Sequence, residues 1–213
     1  MYHPDGIASS EFVTPAFLQT EYFRMVEVII HEIWHVQGRL PLHFEESTSV
    51  FIGRAGASIF WYDSKDKALE RLEIWLKFAE AINLCHAQIS DLATQLHDGK
   101  INLNEYLLER ENCIKAANKS QTRVNNLTPM MVVHFHTYAH YFPLVYRLYD
   151  AMDRDLIRLV HALREISEHN EFQDPVERDP KIWFQKVRET ENEIEAYVEN
   201  LIQKAIADKK ERK

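Results

Sequence analysis

His31 and His35 are separated by three residues, and Glu32 directly follows the first histidine. Residues four apart share one face of a helix, so the two imidazoles could bind a zinc ion while the glutamate activates a metal-bound water. Zinc also needs a third protein ligand. His43 is at the wrong offset for the metzincin pattern, and a downstream glutamate is an undefined alternative. Because the motif fixes only three positions in a chain with 11 histidines, a zinc-dependent hydrolase is kept as the alternative function.

A second histidine group consists of His134, His136 and His140. Residues 131–136 are predicted to form a short strand, on which His134 and His136 would share a face and could chelate a metal. The other interpretation is an ordinary strand whose polar face meets solvent or a partner. No Cys-x-x-Cys pair accompanies either histidine group. We therefore predict no metal ligand, no cofactor and no catalytic residue, and a protein that is not an enzyme.

The segment 39–44 predicts a different chemistry, because polar and apolar residues alternate along it as in a short extended ribbon. A helix is predicted over residues 46–62, and a second one begins near Ser64. A ribbon followed by two helices pairs two chains and places the paired ribbon in the DNA major groove. The predicted DNA-binding residues are two base contacts, Arg39 and His43, and three phosphate contacts, Arg54, Lys65 and Lys67.

Composition limits the possible classes of protein. The chain has 213 residues, 46% of them apolar, and a formal net charge of −8. An acidic chain is an unusual nucleic-acid binder unless its basic residues are grouped on one surface. No apolar run is long enough to cross a membrane, and the N-terminus lacks the layout of a signal peptide. We expect a cytoplasmic protein without a membrane partner.

The elements that must position these residues are mainly helical. Apolar residues recur at spacings of three and four over 68–97, and the pattern returns over 103–117, which predicts an antiparallel helical hairpin. A long helix is predicted over 138–168, with Pro143 as a kink or as its true start, and a last helix follows the connector 170–180. The predicted fold class is mainly α, a ribbon-helix-helix dimer core elaborated by long helices. We assign an N-terminal extension to 1–37, the ribbon-helix-helix segment to 38–97 and an accessory helical region to 98–213.

The ribbon and the first helix carry a spaced set of residues that matches a known family segment: Leu40, Leu42, His43, Phe51, Gly53 and Arg54. On these residues the chain resembles the AcaB-like transcriptional regulators of conjugative plasmids and integrating conjugative elements. Looser similarities lie at 78–84, 133–135 and 146–150. The sequence departs from the family pattern at Phe44 and Glu45, where a Thr-Arg pair is expected.

The resemblance implies a homodimer that binds double-stranded DNA and regulates transfer genes, as an activator. We therefore predict a sequence-specific DNA-binding regulator. Two alternatives stay open beside it. One is the zinc-dependent hydrolase built on His31, Glu32 and His35, and the other is a helical interaction protein without a nucleic-acid role.

Overall fold

A computed structural model describes residues 15–36, 40–62, 64–120, 124, 126–173 and 175–211. In these residues the chain forms α-helices, with one turn of 3-10 helix at Asn170–Phe172 and no strand, which confirms the mainly helical fold class. The helices in chain order are α1 Pro15–Leu18, α2 Tyr22–His35, α3 Leu42–Trp61, α4 Lys65–His97, α5 Leu103–Ser120, α6 Pro129–Ala139, α7 Phe142–Ala151, α8 Leu156–Glu168 and α9 Pro180–Glu211.

Helix α3 lies at the centre of the molecule and packs against α2, α4, α6, α7 and α8. Its residues 47–55 are all buried, which is typical of a helix surrounded by others rather than one lying on a surface. Phe44 and Phe51 are fully buried, and the Phe51 ring packs against Phe142 and Tyr149 of α7. Side chains near the start of α3 are therefore held between several helices.

The predicted ribbon at 39–44 is wrong for residues 40–44, because α3 already begins at Leu42. Pro41 precedes the helix in an extended conformation and needs no hydrogen-bond partner for its nitrogen. The helix buries Phe44 and leaves Leu42 half exposed, so the apparent alternation does not separate two faces. Three apolar residues at every second position are too few to distinguish a strand from a helix start. The first helix of the pair therefore starts four residues before the predicted position.

The antiparallel hairpin of α4 and α5 is confirmed. The chain turns at Gly99, which has a φ of +70°, and α5 then packs back along α4. Glycine adopts this left-handed conformation without steric cost, which makes it a common residue just after a helix.

The predicted helix 138–168 is broken twice: residues 138–139 are the end of α6, and the rest is divided into α7 and α8. Pro143 lies in the first turn of α7 and marks a true helix start, one of the two outcomes expected for it. The second break follows Met152, where Asp153 and Arg154 both have positive φ angles. Asp155 then caps α8 by accepting hydrogen bonds from the backbone nitrogens of Ile157 and Arg158.

The predicted strand at 131–136 is also wrong, because these residues belong to α6. Thr128 caps this helix by accepting a hydrogen bond from the backbone nitrogen of Met131, and Pro129 occupies its first turn. On a helix His136 shares a face with His140 rather than with His134. No helix in the described part of the chain is long and apolar enough to cross a membrane.

Candidate metal centre

His31, His35 and Glu46 bring three potential metal-ligand atoms together between α2 and α3. The Nε2 atoms of the two histidines lie 3.0 Å apart. Glu46 Oε2 lies 3.5 Å from His31 Nε2 and 3.6 Å from His35 Nε2. The three side chains are 16–24% exposed, so the site is at the edge of the helix pair and within reach of solvent. In the described residues this is the one group of three such side chains whose ligand atoms all lie within 4.8 Å of one another.

The spacing of these three atoms agrees with tetrahedral coordination. Bonds from zinc to nitrogen or oxygen of about 2.0–2.2 Å at tetrahedral angles separate the ligand atoms by about 3.3–3.6 Å. The three observed distances, 3.0, 3.5 and 3.6 Å, lie close to that range. Glu46 Oε2 is buried and has no hydrogen-bond partner in the described part of the chain. Its nearest partners are the two imidazole nitrogens, and a cation at the centre of the triangle would replace these longer contacts by direct bonds.

Glu45 contacts the other ring nitrogen of His35. Its Oε1 atom lies 2.9 Å from His35 Nδ1, and Ser49 Oγ lies 3.4 Å from the same nitrogen. Metal-binding histidines commonly donate their second ring N–H to a carboxylate, which fixes the tautomer and directs the other nitrogen to the metal. The adjacent residues Glu45 and Glu46 thus occupy two different positions in the site, one as orienting group and one as ligand.

The charges of the site are strongly coupled. Burial alone would lower the pKa of His35, but the carboxylates of Glu45 and Glu46 outweigh it and raise the pKa to about 10. Burial would likewise raise the pKa of Glu46, but the imidazoles of His31 and His35 lower it to about 2. Without a metal the site is therefore a partly buried ion pair between imidazoles and carboxylates. A bound divalent cation would take the place of the imidazole proton as the positive charge of the site.

The close approach of α2 to α3 places these groups within reach of one another. A Cβ atom at Gly53 would lie 2.7 Å from the carbonyl oxygen of Glu27 and 3.2 Å from His31 Cβ, so only glycine fits there. The Trp34 indole donates a hydrogen bond of 3.1 Å to Thr48 Oγ1 and fixes the register of the two helices. The Trp34 contact lies between the two histidines along α2, and the Gly53 contact lies about two turns beyond Glu46 along α3.

Two of the predicted DNA contacts have partners inside the protein. His43 Nδ1 lies 3.0 Å from Glu191 Oε1 of α9. Arg54 is 7% exposed, its guanidinium pairs with Glu27 at 2.6 Å, and it stacks on the Trp75 ring at 3.3 Å from the ring centre. The charge of Arg54 is therefore directed into the core, which does not favour the predicted phosphate contact, and that contact stays a prediction.

The other three predicted DNA contacts are Lys65, Lys67 and Arg39. Lys65 and Lys67 lie in the first turn of α4 and are exposed, so they stay predicted phosphate contacts. Arg39 lies outside the described residues.

The sequence identified His31 and His35 but not Glu45 or Glu46. Both glutamates come about ten residues after His35 in the sequence, and they belong to the next helix, α3. Their role depends on how α2 crosses α3, and the motif contains no information on that crossing. The available signal was the pair of adjacent carboxylates at the start of a helix that contains Gly53 about two turns further along.

No family model, no curated protein and no solved structure matches this chain. The function is therefore inferred from the geometry of the site.

Proposed function

We propose that the protein binds one divalent transition-metal ion, zinc in the first place, through His31, His35 and Glu46, and that the site serves metal-assisted hydrolysis. The observation that carries the proposal is the convergence of three ligand atoms at 3.0–3.6 Å, one of them a buried carboxylate oxygen without a hydrogen bond. Two imidazoles and one carboxylate form a ligand set typical of zinc enzymes.

The number of ligands favours a catalytic over a structural site. Structural zinc is held by four protein ligands, whereas catalytic zinc keeps its fourth position for water or substrate. In this role zinc lowers the pKa of its bound water and polarises a carbonyl group of the substrate. The three proposed ligands remain partly exposed, so a small substrate could reach the open position.

Glu32 is the proposed general base. It directly follows His31, and this position lies about 100° further around α2 from the first ligand. In the zinc peptidases with the same spacing, this glutamate accepts the proton of the metal-bound water. Its role here rests on the motif and is tested separately from metal binding.

Zinc stoichiometry tests the binding step. The purified protein is stripped with a chelator, reloaded with zinc, dialysed against a weak competing chelator and analysed for zinc per chain. We expect the wild-type protein to retain zinc, and each of His31→Ala, His35→Ala and Glu46→Gln to release one equivalent. His161→Ala, which removes an exposed histidine of α8, is the matched control and should retain the wild-type amount. Circular dichroism establishes that each variant is folded.

Equal zinc content in the wild-type protein and in Glu46→Gln would overturn the proposal, since the site would then be an ion pair between helices and nothing more.

The hydrolytic step is measured with 4-nitrophenyl acetate against the chelator-treated protein as background. Glu32→Gln should retain zinc but lose at least about tenfold in rate, as expected when a general base is removed. A zinc-loaded protein without chelator-sensitive hydrolysis would restrict the function to metal binding.

The DNA-binding regulator and its homodimer stay predictions. The ribbon that would enter the groove is replaced by the start of α3 at residues 42–44, and Arg54 is buried. Exposed Lys65 and Lys67 are compatible with phosphate contacts, but the net charge of −8 does not favour them. An electrophoretic shift that survives competitor DNA at physiological salt would support this function, and its absence would exclude it.

A further inference from the structure

A second histidine cluster involves the first turn of α3, three residues before Glu46 of the proposed zinc site. His43 comes from α3, His86 from α4 and His136 from α6, and His140 directly follows the end of α6. Glu191 of α9 contacts His43 from outside the cluster. Residues from four helices, widely separated in sequence, thus bring four imidazoles and one buried carboxylate together.

The centres of the His43, His136 and His140 rings form a triangle with two nearly equal sides. The distance is 4.6 Å between His136 and His140, 5.7 Å between His43 and His136, and 5.8 Å between His43 and His140. In a tetrahedral site with three histidines, zinc–nitrogen bonds of about 2.0–2.1 Å place the ring centres about 5 Å apart. The triangle therefore has the size that one bound metal ion requires.

Ring centres measure this fit better than nitrogen positions do. The Cβ–Cγ bond points nearly through the ring centre, so rotation about χ2 moves the nitrogens while the centre stays in place, and this torsion has broad minima. In the described residues the ligand atoms of the cluster are not all within 4.8 Å of one another, unlike those of the first site. Metal binding would thus involve ring rotation without movement of the helices.

Glu191 holds His43 in the orientation expected of a ligand. Its Oε1 atom lies 3.0 Å from His43 Nδ1, and the Glu191 residue is 6% exposed. The carboxylate therefore fixes Nδ1 as the protonated nitrogen and leaves Nε2 as the one that can bind a metal. His86 stacks on His136 with ring centres 3.7 Å apart and 18° between planes, so it covers one face of that ring.

We propose that His43, His136 and His140 form a second site for a divalent transition-metal ion, oriented by Glu191 and closed on one side by His86. An all-imidazole ligand set suits zinc, copper, nickel or cobalt rather than magnesium or calcium. The inference does not depend on the first site, because the two sites share no ligand.

The local charges agree with this assignment. Burial first, and then the neighbouring imidazoles, lower the pKa of His136 to about 3. Burial and His43 also lower the pKa of His140, against the opposite effect of Glu191. Both shifts have the direction that favours the neutral imidazole, the form that binds a metal.

The test compares the zinc content of the wild-type protein with that of five variants under the dialysis conditions given above. We expect two zinc ions per wild-type chain, one in Glu46→Gln and one in the double variant H136A/H140A. The triple variant E46Q/H136A/H140A should bind none. His134→Ala, which removes an exposed histidine from the same helix, is the matched control and should retain both. Glu191→Gln should retain the second ion with about 10- to 100-fold lower affinity, as expected when an orienting carboxylate is lost.

Glu46→Gln decides the inference even if the double variant fails to fold, because it leaves the whole cluster intact. One zinc ion bound to Glu46→Gln supports the second site, and none overturns it. The two proposals fail in different ways. If only the first site is real, Glu46→Gln binds none, and if only the second is real, Glu46→Gln still binds the single wild-type ion.

Discussion

At the scale of single residues, the proposed zinc site depends on Gly53, which has no side chain to separate the two helices. Gly53 allows the backbone of α2 to come so close to α3 that His31 and His35 reach Glu46. Gly56, one turn further along α3, faces only the Ile30 side chain, whose Cδ1 atom would lie 2.9 Å from an added Cβ. The two glycines can be compared directly. An added Cβ would meet backbone at Gly53 and the flexible end of a side chain at Gly56.

Gly53→Ala should destabilise the protein by about 1–3 kcal/mol, the usual range for overpacking a tight contact. It should also weaken zinc binding, because α2 has to move away from Glu46. Gly56→Ala should cost less, since Ile30 can change its rotamer, and it should leave zinc affinity close to the wild-type value. Urea unfolding and zinc titration of the two variants measure both effects. Equal losses in the two variants would show that the approach at Gly53 does not define the site.

At the scale of elements, patterns repeated over many residues predicted more than single motifs did. The long run of apolar residues in α4 and the returning pattern in α5 predicted the hairpin correctly, because many turns of helix agree with one another. The short segments 39–44 and 131–136 were predicted as strands, but residues 42–44 and 131–136 are helical, since only a few residues supported each period. The histidine pair of the site was visible as well, but its carboxylate partners depend on a helix crossing, and the sequence does not encode that crossing locally.

The α4–α5 hairpin should be the element that opens most easily. Helix α5 packs against α4, and the one residue it buries is Ala117, whereas Leu103 and Leu108 are exposed. Few buried apolar contacts give a low free energy of local opening. We expect amide hydrogens of α5 to exchange at least about tenfold faster than those of α3, a difference of about 1.4 kcal/mol. Exchange followed by mass spectrometry checks this, and equal protection of the two helices would contradict it.

At the scale of the whole molecule, the two proposed sites connect most of the helices through α3. The first site joins α2 to α3, and the second joins α3 to α4 and α6, with α9 contributing Glu191. The first site takes its ligands from two consecutive helices, and the second takes them from α3 and the end of α6, so unfolding would separate the ligands of each site and release the metal. Metal binding should therefore be linked to the stability of the entire fold.

Zinc should raise the thermal stability of the stripped protein. Free zinc at a hundredfold excess over Kd adds about 2.7 kcal/mol for each site that binds the folded state alone. For a chain of this length, this corresponds to a rise in Tm of about 5–10 °C per site. Glu46→Gln should show about half of the wild-type rise if both sites are real, because the two contributions are nearly independent when they share no ligand. Thermal unfolding followed by circular dichroism, with magnesium as the control ion, measures these shifts. Magnesium prefers oxygen ligands and should leave Tm unchanged, whereas an equal rise with either ion would mean that ionic strength rather than coordination stabilises the fold.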